Sequence, residues 1–147
     1  MKLSFHHLAI LTSLLFLALA LVWMFEPQRV LVGWGIAATS VTDLVGRRAA
    51  ALYAGIAVMF WLARNASASL ARSAMSKGLA VASFVLASLG IFELAAGHVR
   101  AGILAAVVIE LLLALALLHV KPSSIVDLAP QSAGTILRGG EAAVLPA

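Results

Sequence analysis

Apolar residues run almost without a break over residues 8–25, where only Thr12 and Ser13 are polar, and the run stops at Glu26-Pro27. A helix rises about 1.5 Å per residue and needs about 20 residues to cross about 30 Å of hydrocarbon, so this stretch predicts a first membrane span. Trp23 near its end suits the interfacial aromatic belt. Residues 49–63 form a second uncharged run between Arg48 and Arg64. Long arginine side chains reach outward to the headgroups, so a span over about 48–64 is expected. A third run, 78–97, is charged only at Glu93, and a fourth, 101–120, only at Glu110 before Lys121-Pro122 ends it. Between the first two, residues 30–46 are apolar but weakened by Gly33, Gly35, Thr39, Ser40, Thr42 and Asp43. That segment predicts an interfacial or re-entrant helix packed on the bundle, since irregular backbone in a membrane must lie against protein or a wet cavity. From 122 to 147, prolines, Gly139-Gly140 and lost periodicity predict an extramembrane tail. The pattern as a whole predicts an all-α membrane protein. Four transmembrane helices form an antiparallel bundle within residues 1–121, followed by the tail 122–147.

Composition sharpens this reading. Of 147 residues, 63% are apolar and 11% charged, where a soluble domain runs near half and a quarter. So few charges cannot cover a water-soluble globule, and so apolar a chain is not a disordered one. Absence of cysteine excludes a disulfide scaffold, a thiolate metal site and a cysteine nucleophile. The net charge of +4 comes from lysines and arginines placed mostly at the edges of apolar runs, which is membrane anchoring and not nucleic-acid binding. Met1-Lys2 before an apolar run, with Ala18-Leu19-Ala20 downstream, has the outline of a signal peptide. The run continues unbroken to Phe25, so a retained span is expected. Basic residues number six on the terminal side (Lys2, Arg64, Arg72, Lys77, Lys121, Arg138) and four on the other (Arg29, Arg47, Arg48, Arg100). That excess predicts both termini in the cytoplasm.

The two carboxylates inside spans are the candidate chemistry. A charge within a membrane segment costs several kcal/mol, so such residues face the bundle interior or water. Glu110 shares a helical row with Gly102, Ala106 and Ala114, a ridge of small residues that lets another helix approach. Glu93 belongs to a seam of Ala80, Ser83, Ala87, Gly90 and Gly97. Tyr53 reaches a comparable depth from the second span. We therefore expect a polar cluster of Tyr53, Glu93 and Glu110, with His98 and Arg100 at its mouth. Two readings remain open: a site for a proton, a cation or a small polar ligand, or protonated carboxyls acting as interhelical glue.

Other candidates are less specific. His6, His7 and His119 lie at the terminal side, where two facing imidazoles could clasp haem, although histidines at a membrane surface are common. No cofactor is expected, with haem or quinone held between helices as the alternative. No metal is expected, because Glu93, Glu110 and His98 lack ligand spacing such as Glu-x-x-His. No hydrolase elbow, nucleotide loop or zinc-protease motif is present. Asn65-Ala66-Ser67 fits a glycosylation sequon but falls in a loop placed inside. Trp34 is an interfacial aromatic or an anchor for a partner, and the tail patches Ile125-Val126 and Ile136-Leu137 are candidate docking points.

The stretch Arg47-Arg48-Ala49-Ala50-Ala51-Leu52-Tyr53-Ala54-Gly55, the turn Gly97-His98-Val99-Arg100 and Ile109-Glu110-Leu111 resemble the small four-helix bacterial integral membrane proteins of the DoxX-like group. The resemblance covers about residues 5–120. It implies a four-helix bundle in the bacterial cytoplasmic membrane, in a group where some members are accessory components of redox or assembly systems. Small size, absent catalytic motifs, small-residue seams and the tail make a non-enzymatic accessory or scaffold subunit, packed against a larger membrane complex or against its own copies, the foremost expectation. The alternatives are a proton- or cation-coupled transporter or channel unit using Glu93 and Glu110, and a redox protein holding haem or quinone.

Overall fold

The structure, a computed structural model, describes residues 4–119, and every regular element among them is helical. In chain order these are α1 (Phe5–Phe25), α2 (Pro27–Gly33), α3 (Ser40–Ala63), α4 (Leu70–Ala95) and, after a 3-10 turn (Ala101–Ile103), α5 (Leu104–His119). Four helical stretches, Phe5–Phe25, Ser40–Ala63, Leu70–Ala95 and Ala101–His119, are long and apolar enough to cross a membrane.

Two of these helices begin earlier than hydropathy predicts, each for a local reason. Thr39 and Thr42 form a reciprocal cap at the start of α3: Thr42 N–H donates to Thr39 Oγ1 (3.2 Å), and Thr39 N–H donates to Thr42 Oγ1 (2.8 Å). Asp43 in the first turn adds a favourable charge at the helix N-terminus. The expected interfacial segment 30–46 is therefore divided. Its first part is α2 and its last part is the opening of α3, with a turn over 34–39 between them. At α4, Ser69 Oγ accepts from Arg72 N–H (3.2 Å), so that helix starts before the apolar run does.

The pairing is uneven. α1 packs closely on α3, and α4 on α5, while contact between these two pairs is sparse. His6 meets the Arg64 carbonyl, Ser13 Oγ–H donates to the Ala57 carbonyl (2.8 Å), and Gly46 lies under Trp23. Residue numbers thus rise along α1 as they fall along α3. Of the seam expected on α4, Ala80, Ser83, Ala87 and Gly90 are buried, whereas Gly97 lies exposed in the turn after the helix. Gly90 sits so close to α5 that a Cβ there would lie 2.7 Å from Val107 Cγ2.

What is buried and what is exposed reverses the rule for soluble proteins. The smallest residues dominate the interior, among them Ala9, Ala50, Ala57 and Ala87, whereas Leu52, Leu62 and Phe25 are 71–73% exposed. Such a surface is stable in lipid, where small residues bring helices together and large aliphatics face the chains. The chain has the helices and the surface of an integral membrane protein. Its main core joins the two pairs at one end, through Phe5, Leu8 and Phe16 of α1, Phe60 of α3, and Leu113 and Leu117 of α5. Toward the other end the pairs are held apart.

Candidate functional site

Both turns at that other end are built the same way. α2 ends with Gly35 at φ +81°, Gly35 N–H donating to Val32 O and Ile36 N–H to Leu31 O, both at 2.9 Å. α4 ends with Gly97 at φ +78°, Gly97 N–H donating to Leu94 O (3.1 Å) and His98 N–H to Glu93 O (3.0 Å). Each is a Schellman motif, and each needs glycine because a Cβ is disfavoured at positive φ. The two turns are then stitched together. Arg100 N–H donates to Trp34 O (2.7 Å), and the Arg100 side chain lies across Gly35. Gly102 approaches the Gly33 carbonyl so closely that a Cβ would overlap its oxygen. Trp34 stacks edge-on against Trp23 of α1, ring centroids 5.5 Å apart. The result is a cap across the end of the molecule.

Beneath the cap, between the two helix pairs, lies a cavity of about 570 Å³, within the range of small-molecule sites. Its walls are mostly aromatic and aliphatic, and four chemistry-bearing side chains break them. Tyr53 enters from α3, Glu110 from the middle of α5, Glu93 from the last turn of α4, and His98 from the turn that follows. The Schellman motif accounts for the last pair: by folding His98 back over the helix end, it sets Nδ1 to donate to Glu93 Oε2 at 2.7 Å. Tyr53 is steadied from the core side by Phe16, ring centroids 5.7 Å apart. Glu110 has no cationic partner within ion-pair distance among the described residues, where the close pairs are Arg29–Glu26 and the hydrogen-bonded His98–Glu93.

Of the expected cluster, Tyr53, Glu93, Glu110 and His98 line this one cavity. Arg100 does not; it serves the cap through its backbone and its aliphatic stem. Trp34, expected at an interface or a partner surface, forms both the cap and a wall of the cavity. Ile125, Val126, Ile136 and Leu137 lie outside the described residues. The terminal-side histidines are engaged locally: His6 Nδ1 donates to Arg64 O (3.2 Å), His7 shares a hydrogen bond with Ser4, and His119 Nδ1 donates to Leu115 O (2.9 Å). Among the described residues no three His, Asp or Glu side chains converge to hold a metal ion.

The sequence reading missed Trp23 and Gly46 as parts of the site. Trp23 roofs the cavity from α1, and Gly46 leaves room for its ring: a Cβ there would sit 2.8 Å from Trp23 Cε3. The available signal was Gly33-Trp34-Gly35, in which two glycines flanking a tryptophan mark a tight turn more specifically than a weakened span. Compared with family models, curated proteins and solved structures, the chain matches none.

Proposed function

We propose that the chain is an integral membrane protein that binds a small molecule inside the bilayer. Its four spans form an antiparallel bundle, both termini face the cytoplasm of a bacterial cell, and α2 with the 34–39 turn lies as an interfacial cap. The observation that carries this reading is the convergence of Tyr53, Glu93, His98 and Glu110, from three helices and one turn, on a single cavity walled by apolar side chains. Carboxylates in spans are expensive and are retained where they meet a ligand, a proton or each other. A concave, mostly apolar volume with a few convergent polar groups is the usual form of a small-molecule site. Glu93 and Glu110 are then the polar anchors, as a proton- or cation-coupled carrier unit requires, and the DoxX-like resemblance contributes the bundle and nothing about the ligand.

The test is gentle extraction from native membranes followed by mass spectrometry of what remains bound. A small molecule retained in fixed ratio by the wild type, and lost on Ala106→Phe, which fills the cavity while leaving its polar residues unsubstituted, supports the reading. A wild type that retains nothing defeats it. Co-purification of another membrane protein in fixed ratio, with an empty cavity, returns the chain to the accessory role expected from the tail.

A further inference from the structure

The cavity is partly open. Four of its wall residues, Val41 and Val45 on α3 and Leu86 and Leu89 on α4, are also among the exposed aliphatics of the outer surface, at 45–69% exposure. α3 and α4 close no tight seam with each other. The gap between them therefore leads from the cavity to the surface that faces lipid chains. The end toward water is crossed by the stitched cap, with Arg100 bound to Trp34 and Gly102 seated on Gly33. A molecule dissolved in the bilayer has an aliphatic path inward, while one dissolved in water meets the cap.

The charges inside the cavity narrow the class of molecule. Among the described residues the acidic wall groups are Glu93 and Glu110, and no lysine or arginine lines the cavity. His98 partners Glu93, which leaves Glu110 as the carboxyl group without a cation among the described residues. A carboxylate in an apolar cavity is best satisfied by a cation or a strong hydrogen-bond donor brought in by the ligand. Phosphate or carboxylate headgroups would face two acidic side chains, with His98 already engaged by Glu93. Building on the binding function proposed above, we infer that the ligand is a lipid-soluble amine, which enters sideways between α3 and α4 and sets its ammonium group against Glu110, its chain leaving past Val45 and Leu89.

The experiment uses the full chain in nanodiscs of phosphatidylcholine, with Trp61→Phe so that Trp23 and Trp34, both at the cavity, report alone. The probes are three twelve-carbon amphiphiles brominated near the head: an amine, an alcohol and a carboxylate. The expected result is saturable quenching by the amine, at least tenfold tighter than by the carboxylate and weakened about tenfold or more by Glu110→Gln, as loss of one charge-assisted bond implies. A bismaleimide bridge across Val45→Cys and Leu89→Cys, clean in a chain without native cysteine, should block uptake when made first and trap the amine when made after loading. Equal binding of amine and carboxylate, indifference to Glu110→Gln, or free exchange through the bridged gap overturns the inference. If none of the probes binds while native extracts hold a stoichiometric small molecule, the inference fails and the binding function stands. If both are negative, both fall.

Discussion

Replacing Gly102 with alanine tests whether the cap depends on backbone seated against backbone. The new Cβ would overlap the Gly33 carbonyl oxygen and lie 3.0 Å from the Gly33 carbonyl carbon. Carbon atoms in contact settle at about 3.5–4.0 Å, so the two segments must part by about 0.5–1 Å. The bond from Arg100 N–H to Trp34 O, 2.7 Å in the native cap, then passes the outer edge of useful N–H···O geometry at about 3.2 Å. Its loss costs about 0.5–1.5 kcal/mol and the misfit about 1–3 kcal/mol. A destabilisation of about 2–4 kcal/mol follows. Equilibrium unfolding by SDS in mixed micelles reads it. Gly55→Ala and Gly78→Ala are the internal controls: each lies inside a helix where a Cβ meets nothing within 4 Å. Both should be neutral or stabilising by up to about 1 kcal/mol. A Gly102→Ala protein that unfolds with the wild type, or controls that lose as much as Gly102→Ala, would refute the seated cap.

Gly97→Ala should cost about 1–2 kcal/mol from backbone conformation alone, since φ is +78° and no atom lies near a new Cβ. Gly97→Asn should lose less in the same titration, and an order reversed between the two would contradict the Schellman turn. Thr12 is 1% exposed and its Oγ1 has no hydrogen-bond partner. Thr12→Val should therefore raise stability by about 1 kcal/mol, whereas Ser13→Ala, which removes the bond to Ala57 O, should lower it by about 0.6 kcal/mol; thermal melts in detergent would show opposite shifts. Glu110→Gln should keep the fold within about 0.5 kcal/mol, because no ion pair among the described residues depends on it. Loss of folded protein on size-exclusion chromatography would make Glu110 a structural strut instead.

The spans were legible because crossing a membrane demands long uncharged runs, and residues 8–25 or 101–120 satisfy no simpler description. Their true starts were less legible. Hydropathy registers the part of a helix that lipid touches, while Thr39-x-x-Thr42 and Ser69 extend α3 and α4 past it by capping. The meeting of Tyr53, Glu93 and Glu110 followed from depth along each span, together with the rule that intramembrane carboxylates turn inward. The cap did not follow from anything local. Trp34 and Arg100 are far apart in sequence, and nothing in either stretch says that one carbonyl will accept from the other amide. Gly102 looked like one more small residue on a ridge, although its smallness serves the Gly33 carbonyl instead of a neighbouring helix.

The uneven pairing of helices has a consequence for how the molecule is assembled. α1 packs chiefly on α3 and α4 on α5, and the link 64–69 is the covalent connection between the two pairs. A membrane can receive such a chain as two successive hairpins, the second docking on the first through Phe5, Phe60 and Leu117. The link could then be cut without loss. Co-expressed as separate fragments, 1–66 and 67–147 should find one another in the bilayer and co-purify, the mark of two modules whose covalent connection is a convenience of synthesis; fragments that never associate would contradict it.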